Sequence, residues 1–403
     1  MTTPPVTAPV AAAPAATGTR GARAAWIMLA SGWSANQFSA LLGAYRSHLG
    51  LTESTVTGLF AVYVVGLIPA LLIAGPLADR RGRRRVALAA LTLNVLSTLL
   101  LMVGGAWGGT WLLLPGRFLT GVSAGALLAA GSAWIKELSD SPRRPGLFVS
   151  AGFATGGLVA ALIAQWAPWP MVTAYVPHVV LGATAGWLAL AAPETARPVP
   201  VHGSEADHEH TGHRFRRTVL PLAPWVFTAP TIGFVTLPST LHTGLILTGV
   251  ATAVVPGTGL LTARRARSTP TSGLLVVAAG TATAAVAAAT ENEPLALLAA
   301  IVLGAGYGLA LTYGLTRTAA LAPPHQLARW TARFWTVAYL GMFTPYVLTL
   351  LAHVTTTPLL LAAVTLLALA HAGFGSYQVK RLARRHTPGQ ARSGRAWCSP
   401  TTR

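Results

Sequence analysis

Apolar runs of eighteen or more residues recur along this chain from end to end, and no other feature limits its fold so tightly. A helix rises about 1.5 Å per residue, so each run can cross a hydrocarbon core of ~30 Å. Backbone at that depth must satisfy its own hydrogen bonds, which makes these runs helices. Charge agrees: 10% of the 403 residues are charged, against about a quarter in a soluble protein. The runs and their breaks place spans at 24–44, 55–78, 86–106, 110–135, 146–167, 171–191, 218–238, 240–262, 271–290, 294–320, 330–352 and 357–377. Pro221, Pro224, Pro230 and Pro238 interrupt the seventh, which membrane helices tolerate when neighbours re-satisfy the backbone. The expected fold class is an all-α membrane protein of twelve transmembrane helices.

The basic residues test this map. Five arginines (Arg80, Arg81, Arg83, Arg84 and Arg85) crowd the connection between the second and third spans. With the amino terminus in the cytoplasm, all but two of the 29 basic residues fall in cytoplasmic segments; the exceptions are Arg46 and Arg117. Such sorting by loop parity is what membrane insertion imposes. The net charge of +19 therefore needs no nucleic acid, and no soluble base-reading face is present to bind one. Both termini are expected to be cytoplasmic, in a bacterial cell membrane.

The longest connection divides the chain six plus six. This gives a tail over 1–23, a bundle over 24–191, a linker over 192–217, a second bundle over 218–377 and a basic tail over 378–403. The first tail, rich in Pro, Ala and Thr, reads as disordered. Its basic residues come too late, and its apolar run is too long, for a cleaved signal. Two halves related by an axis along the membrane normal are a known transporter plan. GTGLLTARRARS, about 185 residues after the arginine cluster, is a faint second copy of that connection. The linker carries HGSEADHEHTGH, with His202, His208, His210 and His213, read as a flexible polar segment rather than a metal site. The single cysteine, Cys398, excludes an internal disulfide framework. No nucleotide-cradling loop or hydrolytic spacing occurs, so neither an enzyme nor a cofactor is expected.

Gly75, Leu77, Asp79, Arg80, Gly82, Arg83 and Arg84 form G-x-L-x-D-R-x-G-R-R between the second and third spans. This resembles the signature of the major facilitator superfamily. RFLTGVSAG, with Arg117, Gly121 and Gly125, resembles the superfamily's fourth-helix motif, with Thr120 where many drug exporters have glutamine. GFATGG, with Gly152, Gly156 and Gly157, resembles its fifth-helix antiporter motif, with Phe153 in place of proline. The resemblance implies two six-helix bundles rocking about a central site. It also implies that Asp79 latches against the start of the eleventh helix, near Gln326–Trp330, while the local alternative is that Asp79 balances Arg80 and Arg83.

Polar residues inside spans are the natural site candidates. Arg117 leads; the alternatives are a cavity-facing cation, for an anionic substrate or for coupling, and a side chain snorkelling to the surface. Asn36 and Gln37 point about 100° apart, so at least one should face inward. Tyr63, Gln165, Tyr313, Trp335 and Tyr339 are further candidates for the pathway. Gly121, Gly125, Gly152, Gly156 and Gly157 fit close helix packing. None of the ten acids lies mid-span, leaving Asp79, Glu53, His178 and His371 as groups that could carry a coupled proton.

The expected function is secondary transport of a small organic molecule by alternating access, as proton-coupled efflux. The expected partners are that solute, protons and membrane lipids, with the chain acting as a monomer. The alternatives are an uptake carrier for a sugar or organic acid, in which Arg117 holds a carboxylate, and a non-transporting membrane sensor or scaffold.

Overall fold

The computed structural model of the protein describes residues 15–139, 143–195, 208–265, 269–323 and 326–385. These build twelve helical units. The first is α1 (Ala15–Ala40) with α2 (Leu42–Leu49), followed by α3 (Glu53–Arg81) and α4 (Arg83–Trp107). The fourth is α5 (Thr110–Ala126), a π turn at Leu127–Gly131, and α6 (Ser132–Glu137). Then come α7 (Arg144–Trp166) and the pair α8 (Pro170–Thr173) and α9 (Val176–Leu190). A short helix, α10 (His208–Thr218), precedes the seventh unit, made of α11 (Trp225–Thr231), a π turn at Ile232–Thr236, and α12 (Leu237–Thr240). The rest are α13 (Leu245–Arg265), α14 (Pro270–Ala289), α15 (Glu293–Leu321), α16 (Leu327–Tyr339) with α17 (Thr344–Leu351), and α18 (Thr357–Arg385).

Local chemistry sets several boundaries. Thr52 caps α3 by accepting from the Thr55 N–H, and the Asn292 carboxamide caps α15 through the Leu295 N–H at 2.8 Å. Thr269 and Ser272 form a reciprocal capping box on α14. Between α3 and α4 only Gly82 is non-helical, at φ 99°, where a side chain would be strained. The arginines expected in a loop there are instead helix ends.

Three other expectations change. The helix begins at Ala15, inside the segment read as a disordered tail; Gly21 sits directly against Leu138 and Ser139, which gives this turn something to pack on. Helix α10 lies within the expected linker, its Phe215 buried against Trp330 at 4.7 Å between ring centroids. Helix α18 runs to Arg385, into the expected basic tail. His202 and Cys398 fall outside the described residues, and α10 carries His208, His210 and His213.

Among the described residues eleven helices are long and apolar enough to cross a membrane. The first unit is the exception, and packing explains it. Its polar side chains Ser31, Ser34, Asn36, Gln37 and Ser39 are all buried, so this helix is enclosed by protein rather than lipid. At the end away from the arginine cluster, Trp107, Trp111, Trp166 and Trp169 are exposed, as expected of indoles at a membrane–water boundary.

The halves repeat one another. In the first, Gly121 and Gly125 of α5 seat against the Tyr63 and Leu67 carbonyls of α3. In the second, Gly304 and Gly308 of α15 seat against Val255 and Gly259 of α13. Gly152 of α7 lies on Leu29 of α1, and Gly341 lies on Pro224 ahead of α11, a matching pair. The halves meet where α7 packs on α13, with Gly157 against Thr252 and Gly249 against Ala161, and where α3 packs on α17, with Gly58 beside Tyr346.

Candidate functional site

At the arginine-rich end, the signature ties the first half together. The Glu194 carboxylate accepts from the Arg84 N–H at 3.0 Å, so an anion sits on the first turn of α4. Arg84 also donates to the Leu190 carbonyl at 2.8 Å. Glu137, ending α6, takes both the Arg83 guanidinium and the Thr195 hydroxyl. Trp134 donates to the Pro193 carbonyl at 2.9 Å. The ends of the second, third, fourth and sixth units are thus bound into one body. Asp79 forms its ion pair with Arg83 at 3.4 Å and keeps about half of its side chain exposed. Arg80 is exposed, Leu77 is half-buried against Ala78 and its neighbours, and Gly75 has open space where a β-carbon would go.

Deeper in the first half, Arg117 is fully buried. Its guanidinium carbon lies 4.2 Å from the centre of the Phe38 ring and 5.0 Å from that of Tyr63. Nε reaches the Leu59 carbonyl at 3.4 Å, and neither terminal nitrogen has a hydrogen-bond partner. Tyr45, Tyr63 and Tyr175 are the ionisable side chains close enough to interact with its charge, and the Tyr45 and Tyr175 hydroxyls are 2.8 Å apart. Arg117 therefore points into protein, not to the membrane surface.

Asn36 and Gln37 are both buried, and they diverge as a helix requires. The Asn36 amide donates to the Phe153 carbonyl at 2.7 Å and, across the two halves, to the Thr252 carbonyl at 3.2 Å. Gln37 instead turns into its own bundle, with Nε2 3.5 Å from the Thr98 hydroxyl. There it meets a polar network that sequence reasoning did not assemble. His178 places Nδ1 2.9 Å from the Thr98 hydroxyl and Nε2 3.0 Å from the Asn94 side-chain oxygen Oδ1. The Asn94 amide donates to Ser34 at 2.9 Å and Ser123 at 2.8 Å. Each member is fully buried or nearly so. With both ring nitrogens engaged, His178 is a satisfied core histidine, and the network around Asn94 joins α1, α4, α5 and α9. An asparagine within ALTLNVLSTLL was the available signal, since mid-span amides seek partners.

The second half contributes an aromatic wall. Phe227 of α11 stacks on Tyr339 at 4.4 Å, and Trp335 lies 6.1 Å from Phe227 and 5.9 Å from Tyr339. Tyr307 of α15 is 6.2 Å from Phe227. Tyr63, Phe227 and Tyr339 belong to one buried cluster, so the wall and the cover of Arg117 are parts of the same core. Phe227 and Tyr307 were not among the expected residues, because the proline-interrupted run concealed the facing of α11. Tyr313 is elsewhere, in a small cluster with Leu222, Leu274 and Ala372. His371 accepts from the Trp225 indole at 3.3 Å.

A cavity of about 620 Å3 opens between the halves at the end remote from the arginine cluster. Arg46, Gln165, Ser239, His242, Thr243 and Thr248 are among its lining, which contains no carboxylate. Two polar contacts bridge the halves beside it: Arg46 to His242 at 3.4 Å and Ser239 to Glu53 at 2.8 Å. Gln165, Asn36, Tyr63, Trp335 and Tyr339 thus belong to the region where the halves face each other, whereas Gln37 and Tyr313 lie inside single bundles.

Comparison with known proteins agrees with this architecture. A POT family transporter crystallised with 5-aminolevulinic acid superposes with a TM-score of 0.74 at 12% identity, covering 91% of this chain and 96% of that one. A D-xylose-proton symporter gives 0.63 at 17% identity, covering 87% and 96%. At such identities the likeness is one of fold. Multidrug resistance protein MdtL of Klebsiella pneumoniae (strain 342) is 34% identical over 96 residues, 24% of each chain. The MdtL of Salmonella paratyphi C (strain RKS4594) is 35% identical over the same length. The matched region spans about a quarter of these curated relatives. The Major Facilitator Superfamily itself matches over residues 24–345, most of the chain. Twelve helical units in two repeated halves, the arginine-rich signature between the second and third, and this match together make the chain a member of the major facilitator superfamily.

Proposed function

We propose that the protein exports a small organic molecule across the bacterial cytoplasmic membrane in exchange for protons, as a monomer, with the arginine-rich end and both termini in the cytoplasm. The observation that carries this reading is two repeated halves that meet through the α7–α13 and α3–α17 contacts, with a cavity between them at the end remote from the arginine cluster. Such an arrangement can open to one side at a time by rocking. The partial likeness to multidrug resistance proteins supports export, and the aromatic wall suits an apolar solute. Asp79, paired with Arg83 in this state, would engage the start of α16 when the cytoplasmic end closes.

Glu53 is the carboxyl we assign to coupling. It starts α3 and holds Ser239 of the other half, so protonation would weaken a charge-assisted bond that joins the halves. Counterflow in proteoliposomes across a panel of aromatic solutes, with and without a pH gradient, tests the reading. Exchange of at least one solute, accelerated by the gradient, is expected; absence of flux for every solute would contradict transport. Glu53→Gln should keep counterflow while losing the response to the gradient, and a retained response would remove Glu53 from coupling.

A further inference from the structure

Arg117 raises a question that the transport reading alone does not answer. A buried charge without a counter-charge is strongly destabilising even after relaxation. Two aromatic faces offset only part of that cost, and the contact of Nε with Leu59 is at the long limit of hydrogen bonding. Both terminal nitrogens remain unpartnered. They are the pair that a planar anion grips bidentately.

Among the described residues no carboxylate contacts Arg117. Glu53 and Glu293 open helices, Asp79 and Glu137 lie in the last turns of theirs, and Glu194 and Glu291 lie between helices. Glu209 is in the first turn of α10, and Asp140, Glu205 and Asp207 fall between the spans in the sequence. Among the described residues none reaches the middle of either bundle. The cavity likewise presents Arg46 and His242 and no acid. Glu53 lies beside the cavity, bonded to Ser239, and is not part of its lining.

Position matters as much as charge. The first unit breaks at Leu41, between α1 and α2. Ser39, Leu42 and Gly43 of this segment line the cavity, while Phe38 covers Arg117. Tyr63 covers the same cation and shares one buried cluster with Phe227 and Tyr339, on which Trp335 packs. For the guanidinium to meet a solute, Phe38 and Tyr63 must turn aside.

We infer that the transported solute is an organic anion: a carboxylate that pairs with Arg117, attached to an aromatic body that rests on the Phe227–Trp335–Tyr339 wall. This deepens the transport reading above and rests on it. The orphaned guanidinium is then the unoccupied half of a salt bridge that the solute completes. Unlike a purely structural arginine, it gains stability from ligand rather than from the fold.

The test uses the purified full-length protein with three matched probes: 1-naphthoate, 1-naphthamide and 1-naphthylmethylamine, with sulfate as an inorganic control. Naphthoate should raise the unfolding midpoint and exchange in counterflow at least tenfold faster than the amide. The amine should do neither, and sulfate should stabilise weakly without exchange. Arg117→Lys should keep the preference for the anion at reduced affinity. Arg117→Met should lose discrimination between naphthoate and naphthamide while still responding to the amide, and its ligand-free midpoint should equal or exceed that of the wild type. Equal or better exchange of the amide or amine by the wild type would overturn the inference while leaving transport intact. Retained anion preference in Arg117→Met, or a ligand-free midpoint well below wild type, would also overturn it. If none of the probes binds or moves, the inference fails, and it takes the transport reading with it only when the wider solute panel is also silent.

Discussion

Gly121→Leu should leave almost no folded protein in the membrane. A β-carbon at Gly121 would fall well inside contact distance of the Tyr63 carbonyl oxygen and close to the Leu67 N–H. The obstacle is backbone, which cannot rotate aside as a side chain can. Helices α5 and α3 would have to separate along a seam that Gly125 continues against the Leu67 carbonyl one turn later. Overpacking of a well-filled core typically costs 1–3 kcal/mol and more where nothing can yield, so a loss of about 3 kcal/mol or more is expected. In a membrane the penalty is compounded, because close van der Waals approach is itself what holds helices together. Separation would also disturb Tyr63 and, through it, the cover of Arg117. Gly75→Ala is the contrast, since nothing lies within 4 Å of the added carbon and alanine is the better helix former by about 1 kcal/mol. Thermal unfolding of the two variants in detergent checks both expectations. A Gly121→Leu protein as stable as Gly75→Ala would show that the α3–α5 seam is not the contact that matters.

Much of the fold was legible because the bilayer simplifies the code. Length and apolarity mark a span, and arginine marks a side, so the twelve units and their alternation follow from the residues. The first helix shows the limit of that code. Ser31, Ser34, Asn36 and Gln37 made it too polar to pass as lipid-facing, and only its enclosure by other helices explains how it persists. The glycine motifs were legible as packing, but not the recurrence of the α3–α5 seam as α13–α15, which depends on which face each helix turns. The same missing rotation hid the site. Arg117 could be named as an intramembrane cation; whether it faced lipid or protein depended on Phe38 and Tyr63, contributed by other helices. Gln37 and Tyr313 look like pathway residues in sequence and lie within bundles in space. Phe227 and Tyr307 are the reverse case, ordinary apolar positions that become a wall once α11, α15 and α16 converge.

Alternating access requires movement of one half relative to the other, and joining the halves should stop it. Arg46 and His242 approach to 3.4 Å from opposite halves beside the cavity, both on the exposed side of the contact. Their polar contact is weak enough to break in each cycle, since exposed pairs contribute about 0–1 kcal/mol. A covalent bridge would not break. With Cys398→Ser as background, Arg46→Cys and His242→Cys joined by a reducible bis-methanethiosulfonate linker should exchange solute at least tenfold more slowly than either single-cysteine protein treated alike. Reduction should restore the rate in the same vesicles, which separates a mechanical block from damage. That counterflow measurement is the most direct test of alternating access here: reversible arrest on linking is the predicted result, and undiminished exchange with the bridge in place would contradict it.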